Sequence, residues 1–134
     1  MTDLRKRRAP GPTASRPQVD FLPLNYDADL TMDGTAQSVA LIDAVKEGGG
    51  KVQFANRGAT TEAIRVAFGT SALNAEAGLT IAAAAATTGY YIPAAADAGC
   101  QSIAVLAVPD DATHYAVANA VAADTQDVSI TQGA

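Results

Sequence analysis

Two side chains of this sequence could share nucleophilic chemistry: Cys100 and His114, the single cysteine and the single histidine. A catalytic cysteine needs a nearby base, and His114 is the one imidazole that could serve. A single cysteine excludes an internal disulfide, and a single histidine excludes a zinc site built from several histidines. We predict that Cys100 is a small buried hydrophobic residue, with a Cys100–His114 pair as the alternative.

Carboxylates occur in two close pairs. Asp110 and Asp111 follow Pro109, a combination typical of a turn. Asp27 and Asp29 alternate along the chain, so in a strand both carboxylates point to one face. Either pair could contribute to a calcium site, but Ca²⁺ takes roughly six to eight oxygen ligands. We therefore expect solvated carboxylates and no metal site.

The short motifs of common catalytic sites do not occur in the sequence. It has no G-x-x-x-x-G-K-[ST] phosphate loop, no dinucleotide-binding glycine pattern and no H-E-x-x-H. It also has no G-x-S-x-G nucleophile elbow. The sequence therefore predicts a protein that is not an enzyme and needs no cofactor.

Basic side chains cluster at the start of the chain. Residues 1–17 hold five basic residues against the single acid Asp3, a net charge of +4, and the rest holds four against 13 acids, which gives −9. Four prolines within residues 1–25 disfavour helix, and the basic stretch has too little apolar surface to fold alone. We predict an extended arm over residues 1–25 that contacts another molecule. Its predicted contact residues are Arg5, Lys6, Arg7, Arg8, Arg16, Phe21, Leu22 and Leu24.

Charge and hydropathy limit the other partners. The net charge of −5 argues against general nucleic-acid binding, although the run Arg5–Arg8 could touch phosphate. The first part of the chain lacks the apolar run of a signal peptide. The longest apolar stretch, Ile81–Ala86, is too short to span a bilayer. We expect no membrane partner and synthesis in a cytoplasm.

Residues 26–134 are predicted to form one all-β domain, an antiparallel sandwich or jelly roll of about eight short strands, because short alternating segments are separated by turn signals. The clearest segments are Lys51–Asn56 and Thr61–Phe68, which the turn at Asn56-Arg57-Gly58 predicts to be a hairpin. The other predicted strands are Ala28–Met32, Thr35–Ile42, Leu79–Ala83, Tyr90–Ile92, Gln101–Val108, Thr113–Ala118 and Asp127–Gln132.

Three segments need a finer interpretation. Ala72–Ala86 is rich in alanine, which favours helix, but Gly78 interrupts it, so we predict a loop with one short helical turn and then the strand near Leu79–Ala83. Gln101–Val108 is apolar on both faces and is predicted to be a central strand. Tyr90 and Tyr91 should point to opposite faces of a strand, one ring in the core and the other at an interface or in solvent.

The composition indicates a weak core. The chain has 31 alanines, three Phe, four Tyr and no Trp. Small side chains remove little apolar area from water, at roughly 25 cal/mol per Å². Self-association or docking on a larger surface would add buried area, and binding stabilises the folded state by mass action.

One stretch resembles a known class of proteins. The Phe-Ala-Asn-Arg-Gly turn around Asn56 and Gly58, the strand ending at Phe68-Gly69, the segment Ile92-Pro93-Ala94 and the closing Ile130-Thr131-Gln132-Gly133 are similar to small accessory structural proteins of tailed bacteriophages. The resemblance spans most of residues 51–134 and leaves the arm outside. It concerns a β-sandwich and carries no catalytic residues.

The resemblance implies a virion component on the exterior of the capsid. We expect a decoration or cement protein that associates with itself as a homotrimer and bridges capsomers of the major capsid protein through its arm. A tail, neck or head-fibre adaptor on the same fold is the first alternative. A carbohydrate-binding adhesin module is the second, although such modules commonly present exposed aromatic rings and this chain has no Trp.

Overall fold

The structure is a computed structural model, and it describes residues 21–46, 49–57, 63–83, 85–94, 102–121 and 126–134. The described chain is mostly antiparallel β-structure with two short helices, which confirms the predicted all-β, sandwich-like fold. The elements in chain order are β1 (Pro23–Met32), β2 (Gln37–Ala40), α1 (Asp43–Lys46), β3 (Lys51–Asn56), β4 (Ile64–Gly69), α2 (Ala72–Ala77), β5 (Ile81–Ala82), β6 (Ala85–Ala86), β7 (Tyr90–Ile92), β8 (Ser102–Ala107), β9 (His114–Asn119) and β10 (Gln126–Gly133).

Two four-stranded antiparallel sheets form the sandwich. The first sheet has the order β1-β10-β3-β8, and the second has the order β2-β9-β4-β7. Strands β5 and β6 form a separate two-residue ladder. The four edge strands among the described residues are therefore β1 and β8 of the first sheet and β2 and β7 of the second.

The core lies between the facing sheets and follows the period-two pattern of the strands. Val52 and Phe54 of β3 are buried while their neighbours along the strand are partly exposed, as predicted. The Phe54 ring packs edge-on against Tyr115 of β9, with ring centroids 5.4 Å apart, and against Phe68 of β4, at 6.4 Å. Such edge-to-face contacts add to area burial. They join the first sheet to the second at the centre of the core.

The predicted hairpin over Lys51–Phe68 is wrong. Strand β3 pairs with β10 and β8, whereas β4 pairs with β9 and β7, so the two strands lie in different sheets. Of the predicted turn, Gly58 lies outside the described residues. Both strands present a buried apolar face, and the two faces meet across the core instead of lying side by side in one ladder.

The alanine-rich segment contains a six-residue helix, α2, which is longer than the single helical turn that was predicted. Ser71 caps it, because its hydroxyl accepts a hydrogen bond from the backbone N–H of Asn74 at 3.1 Å. The helix buries Ala75 against the outer face of β9, where Ala116 and Ala118 form a second, smaller apolar cluster. Small side chains let the helix lie close to the sheet.

Several strand limits differ from the predictions. Strand β1 begins at Pro23, five residues before the predicted Ala28 and inside the residues assigned to the arm. Strand β2 is confined to Gln37–Ala40. Strand β8 is an edge strand and not the predicted central one, since β3 is its sole described neighbour in the sheet. Strands β3, β7 and β10 agree with their predictions to within one residue.

Candidate assembly surface

The chain that follows the predicted basic arm is fixed to the end of the first sheet. The backbone N–H of Leu22 donates to the Ala134 carbonyl at 2.8 Å, and the N–H of Ala134 donates back to the Leu22 carbonyl at 3.0 Å. The Phe21 ring lies over Gly133, where a Cβ atom would come within 2.7 Å of the ring. Glycine is needed here because of this close approach. Leu22 is therefore held at a defined point of the body. We call this contact of Phe21 and Leu22 with Gly133 and Ala134 the arm anchor, because the predicted basic arm precedes it.

The predicted contact residues fall into two groups. Arg5, Lys6, Arg7, Arg8 and Arg16 lie outside the described residues, and so does Cys100. Of the apolar group, Leu24 packs against the main core of its own chain and Phe21 is partly buried. Leu22 is 66% exposed and is the one of the three that offers most of its side chain to another molecule.

A shallow open groove of about 180 Å³ lies where edge strands β7 and β8 approach each other. Tyr90 and Tyr91 line one side, and Ser102 and Ile103 line the other. Pro93 also lines the groove, and its carbonyl accepts hydrogen bonds from the Ser102 hydroxyl and from the Asn56 side chain. The sequence did not predict Ile103 as part of a surface, because it assigned β8 to the centre of a sheet.

Neither tyrosine is in the core, which corrects the prediction that one of the two rings is buried there. Tyr90 is 53% exposed and Tyr91 is 45% exposed. The strand buries Ile92 instead. The Arg65 guanidinium lies 5.0 Å from the centroid of the Tyr91 ring, and its Nη1 donates to the Gly89 carbonyl at 2.9 Å. This cation–π contact holds the Tyr91 ring in place beside the groove.

The outer face of the first sheet carries solvated carboxylates, as the sequence predicted for Asp27 and Asp29. Both are exposed. Asp29 accepts a hydrogen bond from the Ser129 hydroxyl at 2.8 Å and lies 3.6 Å from the Arg57 guanidinium. Asp127 accepts from a threonine hydroxyl on β1 at 3.1 Å. These contacts are exposed, so each contributes little to stability.

The described residues that suggested chemistry form no metal-binding cluster. Within the described part of the chain, no three His, Cys, Asp or Glu side chains lie close enough to hold a metal ion. Asp110 and Asp111 form the predicted turn after β8. Nδ1 of His114 is 2.9 Å from the Thr113 hydroxyl. The Asp33 carboxyl has a pKa lowered below its ordinary 3.8, because the side chain and backbone of Thr35 donate hydrogen bonds to it.

Comparison with protein families, with curated proteins and with solved structures gives no match for this chain. Among the described residues, no helix has the length and apolar character needed to cross a membrane.

Proposed function

We propose that this protein is a non-enzymatic structural component of a phage particle, a cement or decoration protein that binds the outside of the head. In this role its partner is the major capsid protein, it associates with itself as a homotrimer, and its arm bridges neighbouring capsomers. The observation that carries the proposal is the division of charge between an arm of +4 and a body of −9. The resemblance of residues 51–134 to accessory virion proteins supports it.

The arm anchor supports a bridging role. The Leu22–Ala134 hydrogen bonds fix the start of the arm at the edge of the first sheet. Twenty residues precede Phe21, and an extended chain spans at most about 3.3 Å per residue, or on the order of 65 Å. A fixed origin and a reach of this size suit contact with a neighbouring subunit, and the exposed Leu22 adds an apolar contact beside the origin.

Electrostatics determine how strongly salt should affect this binding. Exposed charge pairs are screened over about 8 Å at physiological ionic strength. An arm held by basic side chains should therefore leave an acidic capsid surface more readily as salt is raised. Apolar contacts near the arm anchor should be much less sensitive to salt.

A variant in which Arg5, Lys6, Arg7 and Arg8 are all replaced by Ala tests the electrostatic part. We expect lower occupancy on purified particles, with a larger loss at raised salt, and a lower temperature for particle disruption. The matched control is Arg57→Ala, which removes an exposed cation of the body. Equal occupancy of the quadruple variant and the control at every salt concentration would contradict the arm's role.

Location separates cement from the adaptor alternative. Cryo-electron microscopy of particles should show hundreds of copies spread over the shell, with residues 1–20 seated on neighbouring subunits. A few copies at the tail or at one vertex would instead indicate a tail, neck or head-fibre adaptor. Absence of the chain from particles would refute both versions of the virion role.

One observation favours a second function, carbohydrate binding. Tyr90 and Tyr91 present two exposed rings at the groove, and Arg65 positions one of them. Exposed aromatic rings commonly provide stacking surfaces for sugars. A glycan array should then show selective binding that Tyr91→Ala abolishes and Tyr91→Phe retains. Binding to no glycan would exclude this function and leave the structural one.

A further inference from the structure

Strand β8 combines the sequence of a central strand with the position of an edge. Its six residues, Ser102–Ala107, include no charge, no proline and no glycine. Runs that are apolar on both faces are typical of strands covered on both faces, and an uncharged run of this length is unusual at an exposed edge. In the structure one side of β8 pairs with β3, and no described strand pairs with the other side.

The other three edges carry the devices that prevent unwanted pairing. Strand β1 begins with Pro23, exposes Asp27 and Asp29, and has an irregular register opposite Thr131–Gly133. Strand β2 has four residues, and β7 has three and is followed by a proline. Short edges, prolines, charges and bulges all oppose the addition of a further strand. Strand β8 lacks every one of these devices.

The backbone groups on the open side of β8 can be assigned from two hydrogen bonds. The N–H of Val108, just after β8, donates to the carbonyl of Gly50, just before β3, at 2.9 Å. The N–H of Arg57, just after β3, donates to the carbonyl of Asp127 in β10, the other neighbour of β3, at 2.9 Å. Backbone groups alternate in direction along a strand. Ser102, Ala104 and Leu106 therefore point their N–H and C=O toward β3. Those of the remaining three residues, Ile103, Val105 and Ala107, point to the open edge.

We propose that the open edge of β8 binds β8 of a second copy of this chain, antiparallel, about a two-fold axis at Val105. Two strands related by such an axis must place side chains of the same face opposite each other. Centring the pair on Val105 sets Ile103 opposite Ala107 of the partner and uses all three free residues of each copy. The result is six backbone hydrogen bonds and one continuous eight-stranded sheet.

The side chains suit this register on both faces. On the outer face Ile103, which is 44% exposed, meets an alanine, and Val105 meets its own copy. On the inner face Ala104 meets Leu106, and both residues already pack against the core of their own sheet. Each large side chain other than Val105 is opposite a small one. No charged residue lies on either strand, so no like charges are brought together.

This contact does not depend on the proposed virion role. Because the pairing is isologous, β8 can join two copies and no more. A homotrimer would therefore have to use other surfaces. The occupancy experiments on particles and the solution experiments below test the two proposals separately.

Val105→Lys tests the pairing directly in the full chain. Val105 is partly exposed on the outer face, so the isolated sandwich should accept lysine, whereas the dimer would bring two ammonium groups together at the axis. In solution, away from the particle on which the homotrimer is proposed to form, we expect the wild type to sediment with twice the 13.6 kDa mass of the chain and the variant with half the wild-type mass. The control is Ala40→Lys, which places the same side chain on the exposed edge strand β2 and should leave the mass unchanged.

Two further measurements fix the register and detect misfolding. Unchanged circular dichroism of Val105→Lys would show that the fold persists. In a Cys100→Ser background, Val105→Cys should form an intermolecular disulfide, since directly opposite hydrogen-bonded residues have Cα atoms about 5.5 Å apart, within the range that disulfides span. Ile103→Cys should not, because its copy lies several residues further along the partner strand.

Amide hydrogen exchange gives a readout that does not need a variant. The N–H groups of Ile103, Val105 and Ala107 should be protected in the wild type and exchange rapidly in Val105→Lys. The proposal would be overturned if the wild type sedimented with the mass of one chain. It would also be overturned if the wild type formed a larger assembly and Val105→Lys left its mass unchanged. Rapid exchange of these three amides in the wild type would overturn it as well.

Discussion

The side chain of Gln132 joins the two sheets, and its replacement should be among the more damaging single changes in this protein. Gln132 lies in β10 of the first sheet and is 0% exposed. Its Oε1 accepts a hydrogen bond from the Ile42 backbone N–H at 2.8 Å, and its Nε2 donates to the Ala40 carbonyl at 3.2 Å. Both partners belong to the chain at the end of β2 in the second sheet.

The expected loss can be worked from these contacts. Gln132→Ala leaves a part-buried N–H and a carbonyl without this partner, and an orphaned buried group costs about 1–3 kcal/mol. The cavity left by the removed atoms adds to that loss. We expect the free energy of unfolding to fall by about 2–4 kcal/mol, a large part of the roughly 5–15 kcal/mol typical of a domain. Gln132→Met keeps the volume and should lose about 1–3 kcal/mol.

Urea denaturation measures this loss, as a lower midpoint with an unchanged dependence on urea. The matched control is Gln37→Ala, because the amide of the partly exposed Gln37 also donates to a backbone carbonyl, that of Thr31 at 2.7 Å, in a solvent-exposed hydrogen bond. An exposed substitution of this kind should cost within about 0.5 kcal/mol. If Gln132→Ala and Gln37→Ala shift the midpoint equally, the inference that Gln132 links the sheets is wrong.

Gln132→Glu adds a dependence on pH to the same experiment. The new carboxylate would be buried beside the Ala40 carbonyl, so burial and this oxygen should raise the carboxyl pKa in the folded state by more than the single Ile42 N–H donor lowers it. Below the ordinary glutamate pKa the group is neutral in both states and costs little. As pH rises from that value through the raised folded pKa, the variant should lose stability that the wild type keeps. Equal pH profiles of the two proteins would refute the assignment.

Two further predictions concern the arm anchor and the first turn. Gly133→Ala would place a Cβ atom 2.5 Å from the Leu22 carbonyl oxygen. We therefore expect faster hydrogen exchange of the Leu22 and Ala134 amides, while the amides of the core stay protected. Unchanged protection of the Leu22 and Ala134 amides would mean that the arm anchor tolerates the methyl group. Thr35→Val removes the hydroxyl donor to Asp33, so the Asp33 pKa should rise toward its ordinary 3.8 in an NMR titration. At pH above the ordinary value, the lowered Asp33 pKa stabilises the folded wild type, and this stabilisation is lost as pH falls through the folded pKa. The free energies of unfolding of the variant and the wild type should therefore differ above pH 3.8 and converge below the folded pKa.

The strands that the sequence predicted well are those whose pattern is local. Lys51–Asn56 and Tyr90–Ile92 were placed without error, because alternation and a following breaker depend on neighbouring residues alone. The burial of Val128 and Ile130 in β10 followed from the same alternation. A pattern of period two reports which face of a strand is buried, and it says nothing about which strand lies beside it.

Which strands pair with each other could not be predicted from the sequence. The segments Lys51–Asn56 and Ile64–Gly69 are consecutive and have complementary patterns, which favoured a hairpin, yet they face each other across the core. The groove at Tyr90 and Tyr91 was missed for the same reason, because β7 and β8 meet at the open side of the sandwich and belong to different sheets. In the sequence Gln132 is simply a polar residue near the end of a predicted strand, and its role follows only from its hydrogen bonds to Ile42 and Ala40.

The arm anchor and the open edge of β8 belong to the same sheet, so the proposed β8 contact determines the distance between the two anchors of a dimer. Pro23, Gly133, Lys51 and Ala107 lie in one row across the first sheet, so the arm anchor and one end of β8 are at the same end of that sheet. In the proposed dimer the two anchors stand on the outer edges of an eight-stranded sheet, seven strand spacings apart and displaced by about four residues. At about 4.8 Å per spacing and 3.3 Å per residue, they are separated by roughly 36 Å before twist is counted.

Two basic arms would therefore leave opposite corners of one acidic plate, each able to reach on the order of 65 Å from its anchor. Such a dimer can engage two sites on a larger surface at once, and the second binding event then occurs at a raised effective concentration. The β8 contact should for this reason affect particle binding without touching the particle. Val105→Lys should lower occupancy on particles even though its arm is intact, and a separate loss from the Arg5–Arg8 replacement should add to it. If Val105→Lys is monomeric and binds particles as well as the wild type, each arm acts alone.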